Sequence, residues 1–318
     1  MSMAPGTPTN QKKGTTVESA DLGEVRRVRT ATLDVGYHEV GDPAAQAVIL
    51  LHGFPYDALS YTDAAREIAA AGRWVIVPYL RGHGPTRFLD PAEERSGQQA
   101  ALGTDVVELM DALGLADAVL AGFDWGGRAA CVVAAAWPER VRGLVSVNGY
   151  LIQDIAAAGH PLAPRLEAGF WYFFYFLTER GRAGLAADPA SVAEVIWRRN
   201  SPKWSFTADE LGRVARSFQN PDYVDVVIHS YRHRLGSAAG AERYDELERF
   251  LADQPAISVP TITLDGTADG NFPATDGSAS AAHFTGPRMH RLVEGAGHNL
   301  PRERPHEFAR AVLDVEGS

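Results

Sequence analysis

Residues 119–128 read VLAGFDWGGR, an apolar run that leads into a Gly-x-Asp-x-Gly turn centred on Asp124. The alanine-rich segment that follows favours a helix. Strand, sharp turn and helix are the setting in which a nucleophile elbow holds a reactive side chain above a sheet. The alternative interpretation makes Asp124 a turn residue or the N-cap of the following helix, because Gly-Asp turns are common.

The residue at the tip of this turn determines which reaction the turn could support. A serine, the usual residue there, attacks a carbonyl group and accepts an acyl group. A carboxylate attacks carbonyls poorly, but it can displace a leaving group from saturated carbon and form an alkyl ester on the enzyme, which water then cleaves. With Asp124 at the tip, we expect a substrate with an electrophilic sp3 carbon, such as an epoxide, an alkyl halide or a haloacid.

Composition excludes several classes of protein. The chain has 318 residues, 45% of them hydrophobic and 22% charged, which fits one large α/β domain with an insertion or two small domains. A formal net charge of -10 argues against a nucleic-acid partner. No stretch is long and apolar enough to cross a membrane, and residues 1–20 lack the apolar core of a signal peptide. Cys131 is the single cysteine, so an internal disulfide and cysteine-rich metal sites are excluded and a cytoplasmic location is expected.

Apolar runs alternate with helical patterns along most of the chain, which predicts βαβ units and a parallel sheet covered on both faces. Polar and apolar residues alternate in residues 25–40, which favours two antiparallel strands at the sheet edge. The predicted buried strands are residues 47–51, 74–78, 118–122, 141–147, 259–265 and 290–293. The predicted flanking helices are residues 61–71, 98–113, 126–137 and 304–315. We therefore expect an α/β fold with a mostly parallel, eight-stranded sheet flanked by helices.

The pattern changes between residues 150 and 236, a segment called here the helical insertion. It is helical and aromatic in character, with FWYFFYF at residues 170–176, and it contains no strand-like run. A helical insertion between two parallel strands predicts a cap over the carboxyl ends of the strands, where open α/β sheets bind ligands. The predicted organisation is a disordered tail at residues 1–24, a core at residues 25–149 and 237–318, and a helical cap at residues 150–236.

Two loops elsewhere contain residues that could act with Asp124. His298 lies in the glycine-rich segment GAGHN, after the last predicted strand. A histidine there can serve as the general base that activates water, provided that an acid orients its other ring nitrogen. We predict that this acid is Asp269, just past the strand that follows the helical insertion, with Asp265 as the nearest competitor. The alternative for His298 is an ordinary solvent-exposed loop histidine.

The loop after the first buried strand, HGFP at residues 52–55, offers a way to stabilise a negatively charged oxygen. The backbone N–H of Phe54 and that of Trp125, just after the elbow residue, are the predicted oxyanion-hole donors. We also expect His52, Pro55 and Trp125 to contact the substrate. Taken without the other segments, His-Gly-x-Pro is only a turn.

Taken together, these segments resemble the α/β-hydrolase superfamily and, within it, the epoxide hydrolase family, which is related to haloalkane and haloacetate dehalogenases. The resemblance covers the chain from about residue 25 to its end and rests on HGFP, GFDWGG and Gly297-His298. It implies an α/β-hydrolase fold with a helical cap inserted after the fourth buried parallel strand. It also implies conversion of an epoxide to a vicinal diol through a covalent ester on Asp124, with no cofactor and no metal. The implied partners are a small-molecule substrate and water, and the enzyme would be a monomer or a homodimer.

Epoxide hydrolases hold the epoxide oxygen with two tyrosines of the cap, and the resemblance implies Tyr172 and Tyr231 for these roles. A phenol suits the task because its pKa of about 10 keeps the proton in place at neutral pH. Tyr175 is the competing choice for Tyr172, whose alternative is simple packing in an aromatic core. We expect Trp171 and Tyr175 to contact an apolar epoxide, which could be aryl, cyclic or aliphatic.

A dehalogenase with the same nucleophile is the competing enzyme. Many haloalkane dehalogenases resemble this pattern but have asparagine at the position of Phe54, and many place the acid where this chain has Asn148. Fluoroacetate dehalogenases have an arginine at the position of Trp125 and a second one that corresponds to Arg128. Arg128 could hold a carboxylate, although an arginine early in a helix more often pairs locally at the surface, and the Trp125 indole could bind halide. A non-catalytic binding protein on the same fold is the third interpretation, which the complete set of catalytic candidates disfavours.

Overall fold

The computed structural model describes residues 22–317. Residues 1–21, which are most of the predicted tail, and residue 318 lie outside the described residues. Leu22 also belongs to the predicted tail, yet it is buried against the main hydrophobic core. The packed part of the chain therefore begins before residue 25, the predicted start of the core.

Within the described residues, nine strands form a single sheet. In chain order they are β1 (Arg26–Arg29), β2 (Leu33–Val40), β3 (Ala47–Leu51), β4 (Trp74–Pro78), β5 (Arg87–Phe88), β6 (Ala118–Gly122), β7 (Val141–Val147), β8 (Thr261–Gly266) and β9 (Arg288–Val293). Eight of them follow the order β1-β2-β4-β3-β6-β7-β8-β9, and the short β5 pairs with β2. Pairing is parallel from β4 to β9 along this order and antiparallel where β2 meets β1, β4 and β5. The predicted mostly parallel sheet is confirmed, and β5 escaped prediction because two residues give no periodic pattern.

The centre of the sheet is buried because parallel strands joined by helical crossovers are covered on both faces. Every residue of β3, β4 and β6 is buried. The bounds of these strands and of β7 are the ones predicted from the apolar runs. The last two strands differ slightly, since β8 begins at Thr261 rather than residue 259 and β9 at Arg288 rather than residue 290. Apolar runs bounded by polar segments therefore define this part of the fold.

Helices of the core pack in pairs, with Thr62–Ala70 against Pro305–Asp314 and Gln99–Ala112 against Asp124–Ala136. The α-helices of the described residues are α1 (Thr62–Ala70), α2 (Gln99–Ala112), α3 (Asp124–Ala136), α4 (Pro164–Gly169), α5 (Trp171–Phe176), α6 (Glu179–Ala187), α7 (Pro189–Asn200), α8 (Ala208–Ala215), α9 (Tyr223–Arg234), α10 (Asp245–Ala252), α11 (Leu300–Glu303) and α12 (Pro305–Asp314). Short 3-10 helices occupy Ala58–Tyr61, Pro138–Arg140, Ala156–Gly159, Ser217–Gln219, Glu242–Tyr244, Ser278–His283 and Val315–Gly317. Among residues 22–317, no helix has both the length and the apolar character needed to span a membrane.

The helical insertion supplies α4 to α9, and its residues contain no strand. It begins after β7, the fourth buried parallel strand, and the chain returns to the sheet at β8, beside β7. Within the helical insertion, α5 packs against α6 and α9. Because β3, β6, β7 and β8 are neighbours in the sheet, the loops at their carboxyl ends meet at one edge. These loops hold most of the residues singled out in the sequence.

Candidate active site

Asp124 occupies the tip of a strained turn between β6 and α3. Its φ of 51° lies in the left-handed region, which is uncommon for a residue with a side chain. The flanking glycines are needed for close approach: a Cβ on Gly126 would overlap the Leu51 carbonyl, and one on Gly122 would lie 2.5 Å from the Gly126 carbonyl carbon. Phe123, not Asp124, is the N-cap of α3, and it makes no side-chain cap hydrogen bond. The turn therefore presents the Asp124 carboxylate instead of using it as a helix cap.

The Asp124 carboxylate has a different neighbour at each oxygen. The backbone N–H of Phe54 donates to Oδ1 at 2.8 Å, and Nε2 of His298 lies 3.6 Å from Oδ2. Burial by itself would raise the pKa of Asp124, but the His298 imidazole and the Phe54 amide outweigh it and hold the pKa below its ordinary value. The carboxylate is thus ionised at neutral pH, as a nucleophile must be.

His298 is buried and paired with a second carboxylate. Its Nδ1 lies 2.9 Å from Oδ2 of Asp269, and its backbone N–H donates to Ser201 Oγ at 3.0 Å. Burial by itself would lower the pKa of His298, but Asp269 and Asp124 together raise it to about 10. The imidazole is therefore protonated at neutral pH. His298 is 1% exposed, so the interpretation as a solvent-exposed loop histidine is wrong.

Asp269 is fixed by donors on both of its oxygens. Oδ1 accepts the backbone N–H groups of Asn271 at 2.8 Å and Phe272 at 2.9 Å. Oδ2 accepts the Asn148 side-chain amide at 3.3 Å in addition to the His298 contact. Asn148 itself has a φ of 69°, again in the left-handed region. No local pattern predicts this contact, because it joins the ends of two strands that are distant in the chain.

Asp265, the competitor for the acid position, accepts hydrogen bonds from Thr275 and does not contact His298. Its Oδ2 accepts the backbone N–H of Thr275 at 2.9 Å and the Thr275 hydroxyl at 3.0 Å. The nearest histidine is His290, whose Nε2 lies 3.9 Å from the same oxygen. The structure therefore places Asp269, and not Asp265, against His298.

The HGFP loop is held so that the Phe54 amide faces the elbow. Nε2 of His52 accepts the backbone N–H of Leu80 at 3.1 Å, which leaves Nδ1 to donate to the Gly53 carbonyl at 3.0 Å. Burial, with His83 as the second cause, lowers the pKa of His52 to about 3, so the ring is neutral. The Pro55 carbonyl accepts the Trp197 indole N–H at 2.9 Å. His52 and Pro55 therefore shape the loop, and contact of these two residues with the substrate stays a prediction.

The second predicted oxyanion donor is the amide of Trp125. This residue lies in the first turn of α3, where backbone N–H groups have no partner within the helix. The Trp125 side chain is buried, and its ring stacks on Phe54 with 5.8 Å between the ring centres. The Phe54 amide contacts the Asp124 carboxylate from the HGFP loop, and the Trp125 amide follows Asp124 directly in the first turn of α3.

Two buried phenols from the helical insertion complete the cluster. Tyr172 on α5 and Tyr231 on α9 lie with their ring centres 5.4 Å apart, edge to face. Oη of Tyr172 accepts the Asn271 side-chain amide at 3.4 Å. The Tyr231 hydroxyl lies near the Trp125 indole without a hydrogen bond of normal geometry, and no other described residue bonds to it. Burial and the negative charge of Asp124 raise the pKa of both phenols, so both keep their protons at neutral pH.

Trp171 and Tyr175 lie on α5 with Tyr172, and the Trp171 ring packs on that of Tyr172 with 6.0 Å between the ring centres. The rings of Trp171 and Tyr175 pack on each other at 5.8 Å, and the Tyr175 hydroxyl lies directly against Gly184, where any Cβ would overlap it. Tyr175 thus fastens α5 to α6. Substrate contact by Trp171 and Tyr175 stays a prediction.

A cavity of about 570 Å³ lies beside the cluster. Its walls come mainly from the helical insertion and are largely aromatic and aliphatic, with two arginines, Arg128 and Arg234. Two wall residues also contact the cluster: the Phe272 ring stacks on His298 at 5.6 Å, and the Phe173 ring lies 4.7 Å from that of Tyr231. The cavity therefore abuts the site where Asp124, His298 and the two phenols meet.

Comparison with known proteins places the chain in a family. The family model of the alpha/beta hydrolase fold matches residues 46–305. An epoxide hydrolase of Caballeronia sordidicola is 32% identical over 269 residues, which are 78% of this chain and 80% of that protein. Epoxide hydrolase A of Mycobacterium tuberculosis is 29% identical over 302 residues, covering 87% of this chain and 92% of the relative.

Solved structures agree with this grouping. The crystal structure of a candidate epoxide hydrolase from Klebsiella pneumoniae superposes with a TM-score of 0.91 at 45% identity, covering 93% of this chain and 98% of the other. Epoxide Hydrolase A from Mycobacterium thermoresistibile superposes with a TM-score of 0.70 at 24% identity over 92% of this chain, a likeness of fold. The chain is an enzyme of the α/β-hydrolase family and belongs to its epoxide hydrolase branch.

Proposed function

We propose that this enzyme converts an epoxide to a vicinal diol through an alkyl ester on Asp124. The observation that carries the proposal is the pair of buried phenols, Tyr172 and Tyr231, beside an ionised carboxylate. An epoxide oxygen leaves as an alkoxide unless a donor supplies a proton, whereas a halide needs no proton. In this proposal the helical insertion is the cap, because it supplies both phenols and most of the cavity wall.

The first step is attack by the Asp124 carboxylate on one ring carbon. Oδ1 is held by the Phe54 amide, so Oδ2 forms the new C–O bond while the ring C–O bond breaks. The released oxygen takes a proton from Tyr172 or Tyr231. Negative charge thus moves from Asp124 towards the phenols, and the charge of Asp124 that raises their pKa disappears as the ester forms.

The second step is hydrolysis of the ester by water. Esterification removes the Asp124 charge, which is one of the causes that hold a proton on His298, so the imidazole releases that proton and the phenolate is neutralised. Neutral His298, oriented by Asp269, then takes a proton from water as it attacks the Asp124 carbonyl carbon. The Phe54 and Trp125 amides hold the oxyanion. On collapse the leaving oxygen takes the proton held by His298, which releases the diol. The Asp124 carboxyl then returns its proton to the imidazole, which restores ionised Asp124 with one oxygen from water.

Removing the two phenols is expected to stop ring opening. Either Tyr172→Phe or Tyr231→Phe should lower the rate of ester formation about 10- to 100-fold, because the other phenol still donates, and the double variant should lower it about 10⁴-fold. Stopped-flow mixing with styrene oxide measures this rate. Tyr175→Phe is the matched control and should be silent, since its hydroxyl packs against Gly184. An unchanged rate of ester formation in Tyr172→Phe, together with a lowered rate in Tyr175→Phe, would contradict the assignment of Tyr172 as a proton donor.

The two steps should differ in their dependence on pH. The pKa of Asp124 is lowered and those of the phenols are raised, so the rate of ester formation is expected to be flat from about pH 5 to about pH 9. Hydrolysis of the ester needs neutral His298, so its rate should rise with pH until the imidazole of the alkylated enzyme is deprotonated. Rapid-quench measurements separate the two rates. Ester formation that rises through the neutral range would argue against an attacking group with a lowered pKa.

One observation favours a second candidate, displacement of halide from a haloalkane or haloacid. The Trp125 indole N–H is buried and has no hydrogen-bond partner of normal geometry among residues 22–317, and such a donor can bind halide. A diol assay with styrene oxide, run beside an assay of bromide release from 1-bromobutane and bromoacetate, decides between the two reactions. Diol formation supports the proposal, and bromide release without diol formation would replace it.

A further inference from the structure

Two buried arginines face the cavity beside the active site. Arg128 lies one turn after Asp124 on α3, and Arg234 is the last residue of α9. Each is 8% exposed. The expectation that Arg128 pairs locally at the surface is wrong, because the helical insertion covers this part of α3. Its Nε and Nη1 are buried and have no hydrogen-bond partner in the described part of the chain.

Arg234 is held in position by a chain of hydrogen bonds. Its Nε donates to Gln153 Oε1 at 2.9 Å, and Gln153 Nε2 donates back to the Arg234 carbonyl at 2.8 Å. The backbone N–H of Gln153 is itself fixed by Gln99 Oε1 at 2.9 Å. The Arg234 guanidinium lies over the rings of Phe173 and Tyr231, 4.7 Å and 5.3 Å from their centres. This cation therefore stands next to a phenol of the active site.

Asp124 is the negative charge that acts on both arginines, and it is shared with His298. Among residues 22–317 neither arginine has an ion-pair partner. The acidic residues of the cavity wall are engaged with backbone groups, Asp154 with the N–H of Ala157 and Glu167 with that of Leu162. Burial and the charge of Arg234 lower the pKa of Arg128 to about 9. Two buried cations that share one carboxylate with His298 are costly, and a bound anion would lower that cost.

We propose that Arg128 and Arg234 bind a carboxylate of the substrate, so that the enzyme acts on epoxy carboxylic acids. The inference rests on the proposed function and adds the class of epoxide. Side chains one helical turn apart are about 5–6 Å from each other at Cβ, so the carboxylate lies within a few bonds of the oxirane at Asp124. The aromatic and aliphatic remainder of the cavity takes the apolar part of the molecule. A monoanion fits better than a dianion because Asp154 and Glu167 share the cavity wall.

Matched substrates test the anion site through turnover. The probes are 3-phenylglycidate and its neutral amide, 3-phenylglycidamide, with diol formation followed by chromatography. The wild-type enzyme should prefer the acid in kcat/KM by about 10-fold or more, chiefly through KM. Arg128→Gln and Arg234→Gln should each lower kcat/KM for the acid by about 10- to 100-fold and bring the ratio of acid to amide towards one. Arg198→Gln, on the outer face of α7 with 64% of its side chain exposed, is the control and should leave that ratio unchanged.

A binding measurement separates this inference from the proposed function. Calorimetric titration with 3-phenylpropanoate, which has no reactive carbon, should show binding to the wild-type enzyme that 3-phenylpropanamide does not match. Anion binding without diol formation from either glycidic probe would support the anion site and overturn the proposed function. Diol formation with no preference for the acid, and no selective binding of 3-phenylpropanoate, would overturn the anion site alone. The wild-type titration decides the point even if an arginine variant fails to fold.

Discussion

Replacing Asp124 with alanine is expected to lower diol formation from styrene oxide by about 10⁴-fold or more. Within the described residues, the Asp124 side chain at the elbow is the only carboxylate that contacts both the Phe54 amide and His298. Without it no ester forms, and the remaining phenols can only assist a direct attack by water. The measurement is steady-state diol production, with circular dichroism to establish that the variant is folded.

Asp265→Asn is the matched control for this variant. Asp265 is a buried aspartate at the carboxyl end of β8, and an asparagine oxygen can still accept from Thr275. We expect the control to keep most of the activity. A folded Asp124→Ala enzyme that retained more than about a tenth of wild-type turnover would show that another group performs the attack.

Replacing His298 with glutamine is expected to trap the covalent intermediate. Glutamine cannot take a proton from water, so ester hydrolysis should slow by about 10³-fold or more, while ester formation continues because Asp124 and both phenols remain. Loss of the imidazole also removes one cause of the lowered pKa of Asp124. The carboxylate should therefore be protonated at a higher pH than in the wild-type enzyme, although still ionised at pH 8.

Intact-protein mass spectrometry after mixing with styrene oxide measures the trapped species. The His298→Gln enzyme should gain the mass of one substrate molecule, and peptide mapping should place the adduct on Asp124. His306→Gln, whose side chain is 74% exposed on α12, is the control and should turn over without an adduct. Full turnover by the His298→Gln enzyme without any adduct would contradict the role of His298.

Much of the fold could be predicted because the central strands are short apolar runs between polar segments. The bounds of β3, β4, β6 and β7 follow from those runs alone. The strand β5 could not be predicted in the same way, since its two residues are too few for a periodic signal and it forms through tertiary packing. The parallel order of the sheet follows from alternation of strand and helix.

The candidate site was predictable where residues lie next to strand ends. Asp124, Asp269 and His298 each follow a strand of the parallel sheet, so the sheet itself brings them together. Side-chain direction within the helical insertion was not predictable. Tyr172 and Tyr175 lie one turn apart on α5, and only the packing of α5 on α6 and α9 separates their environments.

Contacts between segments that are distant in the chain could not be predicted from the sequence either. From the sequence, Asn148 is notable only as a residue that cannot be an acid, yet its amide donates to Asp269. The burial of Arg128 beside Arg234 depends on how the helical insertion covers α3. No local pattern encodes either contact.

The ester mechanism is tested most directly by a single turnover in water enriched in oxygen-18. With enzyme in excess over styrene oxide, the diol should contain only unlabelled oxygen, since its new hydroxyl comes from Asp124 Oδ2. The label should appear instead in the Asp124 carboxylate, where mass spectrometry of the elbow peptide can detect it. Label in the first diol formed, with none in the peptide, would mean that water attacks the epoxide directly and would contradict the proposed mechanism.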